Sequence, residues 1–239
     1  MGSTRLPGKV MKKINGKTVI ELLIARLTKS NQLHEIIIAT SDKTQNDPLV
    51  KHINSLGYIC ERGSEDDVLA RYYETAVKHK LEVIVRITGD CPLVDPLIVD
   101  DIIEMYKCGD SQYISNVSPS SYPDGLDVEV FSFEVLKLAY NQATDPFERE
   151  HVTPFIRNQS NIKQSNLIHD VDLSNLRWTL DEKEDFEVIK NIFNHFHPNI
   201  FFHWSKILEL HEMKPEFFSA NSHLWPKEEQ DPRDHRHLA

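Results

Sequence analysis

Between Val19 and Tyr106 short apolar runs alternate with amphipathic segments, and this alternation restricts the fold more than any other feature of the chain. Glu35–Ala39 (EIIIA) and Glu82–Thr88 (EVIVRIT) have the β-branched content of buried strands. Tyr58–Cys60 is a shorter extended piece. Helical spacing marks Val19–Lys29, where Ile20, Leu23, Ile24 and Leu27 share a face. It also marks Asp47–Ser55, with Pro48 in the first turn, a segment opened by Ser64 and running to Lys78, and Pro96–Tyr106. Strand and helix in turn predict an α/β fold with a parallel sheet covered on both faces.

The second half reads differently. Gln112–Asn116 and Leu126–Phe131 are expected strands, separated by a Ser/Pro-rich turn region. Helices are expected over 133–143 and 148–158, strands over Lys163–Ile168 and Arg177–Leu180, and an amphipathic helix over Glu182–Phe196. One more helix is expected around Ser205–Leu210. Residues 1–223 then form one domain, and 224–239 a polar tail.

Charge narrows the function. The net charge of -10 argues against broad binding of nucleic acid or an anionic membrane, both of which need a positive field. No run of about 18 apolar residues marks a membrane span. Cys60, Cys91 and Cys108 form no CxxC pair and suit a reducing compartment, so a cytoplasmic protein is expected.

Three strings carry chemistry. Gly2-Ser-Thr-Arg-Leu-Pro-Gly-Lys9 supplies loop-forming glycines, the Ser3 and Thr4 hydroxyls, and the fixed charges of Arg5 and Lys9. Backbone N–H groups and cations in such a loop suit a phosphate chain. It is not a Walker A loop, because Val10 stands where Ser or Thr is needed. In Thr88-Gly-Asp-Cys-Pro-Leu93, Asp90 follows the strongest strand, where an open α/β sheet binds its ligands. It either holds Mg²⁺ or caps a turn. In Arg177-Trp-Thr-Leu-Asp-Glu-Lys-Glu-Asp185, Asp181 is a second metal carboxylate or a helix cap, and Asp185 complements a helix dipole. Ser64, Asp66, Asp67 and Arg71 either touch a nucleotide or cap a helix, and Glu150-His151 either meets a second substrate or is a surface pair. His195, His197 and His203 lack zinc-like spacing with cysteine and are read as incidental.

Taken in order, STRLPGK, GSEDDVLARYY, VRITGDCPLVDP, GLDVEVFS, REHVTPFI and RWTLDEKEDF resemble spore coat polysaccharide biosynthesis protein F and its relatives, grouped with the acylneuraminate and 3-deoxy-manno-octulosonate cytidylyltransferases. The likeness runs from residue 1 to about 195. It implies a Rossmann-like nucleotidyltransferase fold of the GT-A-like kind, with a mixed, mostly parallel sheet, helices on both faces and a small dimerisation lobe at about 112–168. The implied reaction transfers CMP from CTP to an acidic or amino sugar, with Mg²⁺ or Mn²⁺ as cofactor and a homodimer as assembly. Gly2, Ser3, Thr4, Arg5 and Lys9 would hold the triphosphate, and Asp90 and Asp181 the metal. Ser64, Asp67 and Arg71 would lie near base and ribose, with Glu129, Glu150 and His151 on the acceptor side.

In that family an apolar strand ending in Ala-Arg precedes the phosphate loop, whereas this sequence opens with Met1 inside the loop. We therefore expect a sheet without its first strand, with unpaired backbone groups and an apolar gap, and a chain that folds or turns over less well than an extended one. Two other classes fit the residues. A nucleotide-sugar glycosyltransferase would use a DxD triplet, which Asp170-Val-Asp172 matches literally; a non-catalytic dimeric scaffold of the same fold is the third.

Overall fold

The computed structural model describes residues 5–224, so Gly2, Ser3, Thr4 and the expected tail beyond residue 224 lie outside it. The described chain opens with a hairpin of β1 (Lys13–Ile14) and β2 (Lys17–Thr18). Its turn is Asn15-Gly16, both at positive φ (50° and 83°), the arrangement a two-residue hairpin requires. The sequence carried this signal openly, and the strand reading passed over it. Helix α1 (Val19–Leu27) follows at once, closed by a reciprocal cap between Thr18 and Glu21.

Next come β3 (Ile37–Ser41), α2 (Asp47–Ser55), β4 (Ile59–Gly63), α3 (Val68–His79), β5 (Val83–Arg86) and α4 (Pro96–Cys108). The expected alternation is therefore present. The second half supplies β6 (Tyr113–Ser115), β7 (Glu129–Ser132), α5 (Phe133–Gln142), α6 (Pro146–His151), α7 (Pro154–Arg157), β8 (Gln164–Asn166), α8 (Lys183–Phe196) and α9 (Trp204–Met213).

The strands pair in a mixed way. β3 and β4 run parallel, while β5, β7, β6 and β8 form a second sheet in that order. There β7 is antiparallel to β5 and β6, and β6 is parallel to β8. Among the described residues β3 pairs only with β4, and β5 only with β7. Ile37, Ile38 and Val85, the apolar residues of these two strands that a central sheet would bury, stay partly exposed. Within 112–168, β6, β7 and β8 share this sheet with β5, and α5 and α6 pack on α3.

Three expectations need correction. The single helix over 148–158 is broken into α6 and α7, because buried Val152 has φ 73° and Pro154 has no N–H to continue the ladder. Arg177–Leu180 is not a strand but an extended segment with one bridge, Arg177 to Asp124. The helix expected to open at Ser64 begins at Val68, with Asp67 as its cap; Ser64 Oγ accepts the Asp67 N–H from one turn outside.

One buried arginine fixes the loop after β5. Arg26 is 1% exposed and donates to the carbonyls of Leu93, Val94, Ile200 and Phe202 at 2.7–3.2 Å. Burial pushes its pKa down to about 10, with Asp95 opposing the fall. It ties the chain downstream of Asp90 to the turn before α9, so the stretch carrying the acid is anchored on both sides.

Candidate active site

Asp90 and Asp181 stand 91 positions apart in sequence and meet at one cation. The Lys9 ammonium donates to Asp90 Oδ2 at 2.9 Å and to Asp181 Oδ1 at 2.7 Å. Burial opposes the lysine charge, yet the two acids outweigh it and hold the Lys9 pKa above its ordinary value. Burial likewise opposes Asp90 ionising, and Lys9 with the Thr88 hydroxyl reverses the balance and lowers its pKa. Arg5 approaches from outside, 3.4 Å from Asp181 and 3.7 Å from Glu182, with 59% of its side chain exposed. The phosphate-loop cations and the two metal candidates of the sequence reading thus form one cluster.

The backbone explains the meeting. The Leu180 N–H donates to the Asp90 carbonyl at 2.8 Å, which lays the TLDE segment beside the end of the TGD turn. Asp181 is not the cap of α8. Glu182 holds that position, and Asp185 Oδ2 accepts the N–H groups of both Asp181 (2.9 Å) and Glu182 (2.8 Å). The Asp181 carboxylate is thereby left for the cation cluster.

Asp185 does far more than complement a dipole. It has no exposed surface, takes two bonds of 2.8 Å from the Arg177 guanidinium, and accepts from Asn221 at 2.9 Å. Burial works against its charge, but Arg177, Asn221 and the Glu182 N–H together hold its pKa below the ordinary range. Arg177 also lies 3.5 Å from Asp124 and 3.8 Å from Asp181. The sequence reading gave Asp185 only a dipole role and gave no role to Arg177, Asp124 or Asn221. An acid and an arginine eight positions apart across a strand-like turn into a helix look like ordinary surface charge until burial is known.

The turn carrying Asp124 depends on Gly125, which sits at φ 101° against the next segment. A Cβ there would lie 2.6 Å from the Trp178 carbonyl carbon and the Thr179 nitrogen. Gly125→Ala is expected to cost about 2–4 kcal/mol, since backbone strain and overpacking add. Urea denaturation measures this, and a loss under 1 kcal/mol would show that the two segments move apart freely.

A second cluster lies around β7. Glu129, expected on the acceptor side, is buried and already satisfied: Arg86 donates to one carboxylate oxygen, and the Tyr113 hydroxyl to the other at 2.7 Å. Burial opposes its charge, and Arg86, Arg157, Tyr113 and Thr153 overcome this to lower its pKa. Its carboxylate thus holds Arg86 and Tyr113 in place. Thr153 belongs to a γ-turn in which its N–H donates to the His151 carbonyl at 2.9 Å across buried Val152 (φ 73°, ψ -55°). Such a turn is rare and strained for a β-branched residue. It presents His151 at the surface; burial, Arg86 and Arg157 lower the pKa of the ring, and Glu150 raises it. Glu150 itself is exposed.

Ser64, Asp67 and Arg71 come together, but as a cap. Arg71 donates to the Ser64 carbonyl at 2.7 Å, and Asp67 also pairs with Arg149 at 2.7 Å. Of the DxD triplet, Asp170 and Asp172 are exposed, and Asp172 accepts the Ser174 N–H within its own turn. Among the described residues no three Asp, Glu, His or Cys side chains gather as a metal cage, and no helix is long and apolar enough to cross a membrane.

An α/β fold with a cationic loop facing two converging carboxylates defines a nucleotidyltransferase-type site. Sequence comparison agrees: the cytidylyltransferase family model matches residues 1–224, and the chain belongs to that family, whose members are CTP-dependent nucleotidyltransferases. The chain is 34% identical to an uncharacterized protein of Methanocaldococcus jannaschii, covering 95% of this chain and 93% of that one. It is also 34% identical to the spore coat polysaccharide biosynthesis protein SpsF of Bacillus subtilis, over 81% of this chain and 82% of the relative. A cytidylyltransferase structure from Leptospira borgpetersenii superposes with a TM-score of 0.86 at 29% identity, covering 91% and 92% of the two chains.

Proposed function

We propose that this protein transfers CMP from CTP to a hydroxyl of a carboxylate-bearing sugar, for surface-polysaccharide synthesis, and works as a cytoplasmic homodimer. The observation that carries the reading is the convergence of Asp90 and Asp181 on one cation, with Arg5 beside them. Two carboxylates that already share a positive charge fit Mg²⁺ or Mn²⁺, which take one or two protein carboxylates and complete their shell with phosphate oxygens and water. When bound there, the ion would neutralise phosphate charge and acidify the attacking hydroxyl.

The chain's own residues do the rest. Arg5 and Lys9 engage the β- and γ-phosphates and stabilise the pyrophosphate as it leaves. Gly2, Ser3 and Thr4, by the family resemblance, contribute to the same triphosphate binding. The sugar hydroxyl attacks the α-phosphorus, the bond to the bridging oxygen breaks, and pyrophosphate departs; positioning and charge supply most of the acceleration. Ser64, Asp67 and Arg71 shape the nucleotide edge of the site by capping α3. On the acceptor side Arg86, held by Glu129, and Arg157 both lie close enough to His151 to lower its pKa, a gathering of cations that favours a sugar bearing a carboxylate. Glu150, at the surface beside His151, forms the rim. Exposed Ile168 and Val171, at the end of the 112–168 region, suit a dimer contact there.

Pyrophosphate release is the direct test. Each of the four nucleoside triphosphates is supplied with Mg²⁺ and a panel of 2-keto-3-deoxy and amino sugars. Release with CTP and a carboxylate-bearing sugar is expected. Release of a nucleoside diphosphate from a nucleotide sugar would replace this reading with a glycosyltransferase, and an amino sugar without a carboxylate as sole acceptor would overturn the acceptor assignment.

A further inference from the structure

Lys9 occupies the point at which the two metal candidates converge. Its ammonium bridges Asp90 and Asp181 at 2.9 and 2.7 Å, with only 16% of its side chain exposed. We propose that Lys9 is the resident counter-ion of the metal site: it holds the two carboxylates together before substrate arrives, then gives up this place to the divalent cation and moves onto the triphosphate. Metal and nucleotide then enter as one coupled event. The proposal rests on Asp90 and Asp181 being metal ligands, as in the function proposed above.

Three observations support it. The first is steric: the Lys9 ammonium stands between Asp90 and Asp181 at hydrogen-bond distance from both, in the space that a cation held by the two carboxylates would need. The second is electrostatic. Two neighbouring carboxylates without a cation repel each other, so Lys9 keeps the pair ionised and close; the same charge opposes a dication, and the free protein therefore binds bare metal weakly. The third is the choice of residue. Lysine carries a point charge on a flexible four-carbon stem, whereas an arginine fork would lock onto the acids. Lys9 follows Gly8, at φ 66°, in a single short turn, and Arg5 already lies beside the acids to receive the phosphates. A triphosphate offers Lys9 new partners, so nucleotide and metal promote each other's binding.

The experiment is a Mn²⁺ titration of the full chain without nucleotide, followed by electron paramagnetic resonance, for wild type and Lys9→Gln. If Lys9 fills the site most of the time, its removal tightens Mn²⁺ by about tenfold or more, because the competent fraction rises towards one. CTP is expected to tighten Mn²⁺ strongly in wild type and little in Lys9→Gln. In the unmodified protein, saturating Mg²⁺ should increase acetylation of Lys9 by an amine reagent, read by mass spectrometry. That second measurement decides the matter if Lys9→Gln does not fold. Equal or weaker Mn²⁺ binding by a folded Lys9→Gln, or unchanged Lys9 labelling, would overturn the exchange and leave the metal site standing. Absence of bound Mn²⁺ in both proteins, with and without CTP, would overturn the metal site as well.

Discussion

Asp90→Asn and Asp181→Asn are each expected to lower kcat for cytidylyl transfer by about 10²–10³-fold or more, with little change in fold. Each change removes a full charge from a point where two elements converge on one cation. Asp185 is buried and committed to Arg177, and Asp124 lies behind the same guanidinium. Because the two acids act on one ion, the double variant should lose little more than either single one. Pyrophosphate release at saturating Mg²⁺, with thermal melts to confirm folding, measures all three. A single variant within tenfold of wild type would remove that acid from the catalytic centre.

The largest loss of stability is expected at Asp185. Removing one partner of a buried, hydrogen-bonded ion pair typically costs about 3–5 kcal/mol, because the other charge is left buried. Asp185→Ala removes both 2.8 Å bonds from Arg177, whose side chain is 10% exposed, and frees the N–H groups of Asp181 and Glu182. For a chain of this size the melting temperature should fall by about 6–20 °C. The pH dependence follows from the sign of the shift. The folded pKa of Asp185 lies below its unfolded value, so its contribution is fully present above about pH 4 and disappears as pH falls through the folded pKa. Wild type should therefore lose stability steeply in that acid range, and Asp185→Asn, with nothing to titrate there, more gently. Parallel acid-unfolding curves would mean that Asp185 does not carry this charge. Lost activity in Asp185→Asn under conditions where it remains folded would show that the acid also sets the position of Asp181.

The local order of elements was legible because hydrophobic periodicity is a local property. Val19, Asp47 and Pro96 open helices where apolar spacing and first-turn residues placed them, and the β-branched runs read at Glu35–Ala39 and Glu82–Thr88 gave strands at Ile37–Ser41 and Val83–Arg86. Arg5, Lys9, Asp90 and Asp181 could be singled out in the sequence as cations in a glycine loop and acids following apolar runs, and the fold brings these four together. Where the sequence reading failed, the reason is physical. Pairing and burial join residues far apart, and no local pattern encodes them. The bond from Leu180 to Asp90, the buried salt bridge that makes Asp185 an anchor, and the clash that forces glycine at 125 all arise between distant segments. So do the partners of Glu129, expected on the acceptor side and paired with Arg86 and Tyr113 once β7 lies between β5 and β6. The sequence alone determined which groups could do phosphate chemistry. Tertiary structure decided which of their charges are free to do it, because a buried charge must find its partner within the fold, whereas one at the mouth of the site can wait for substrate.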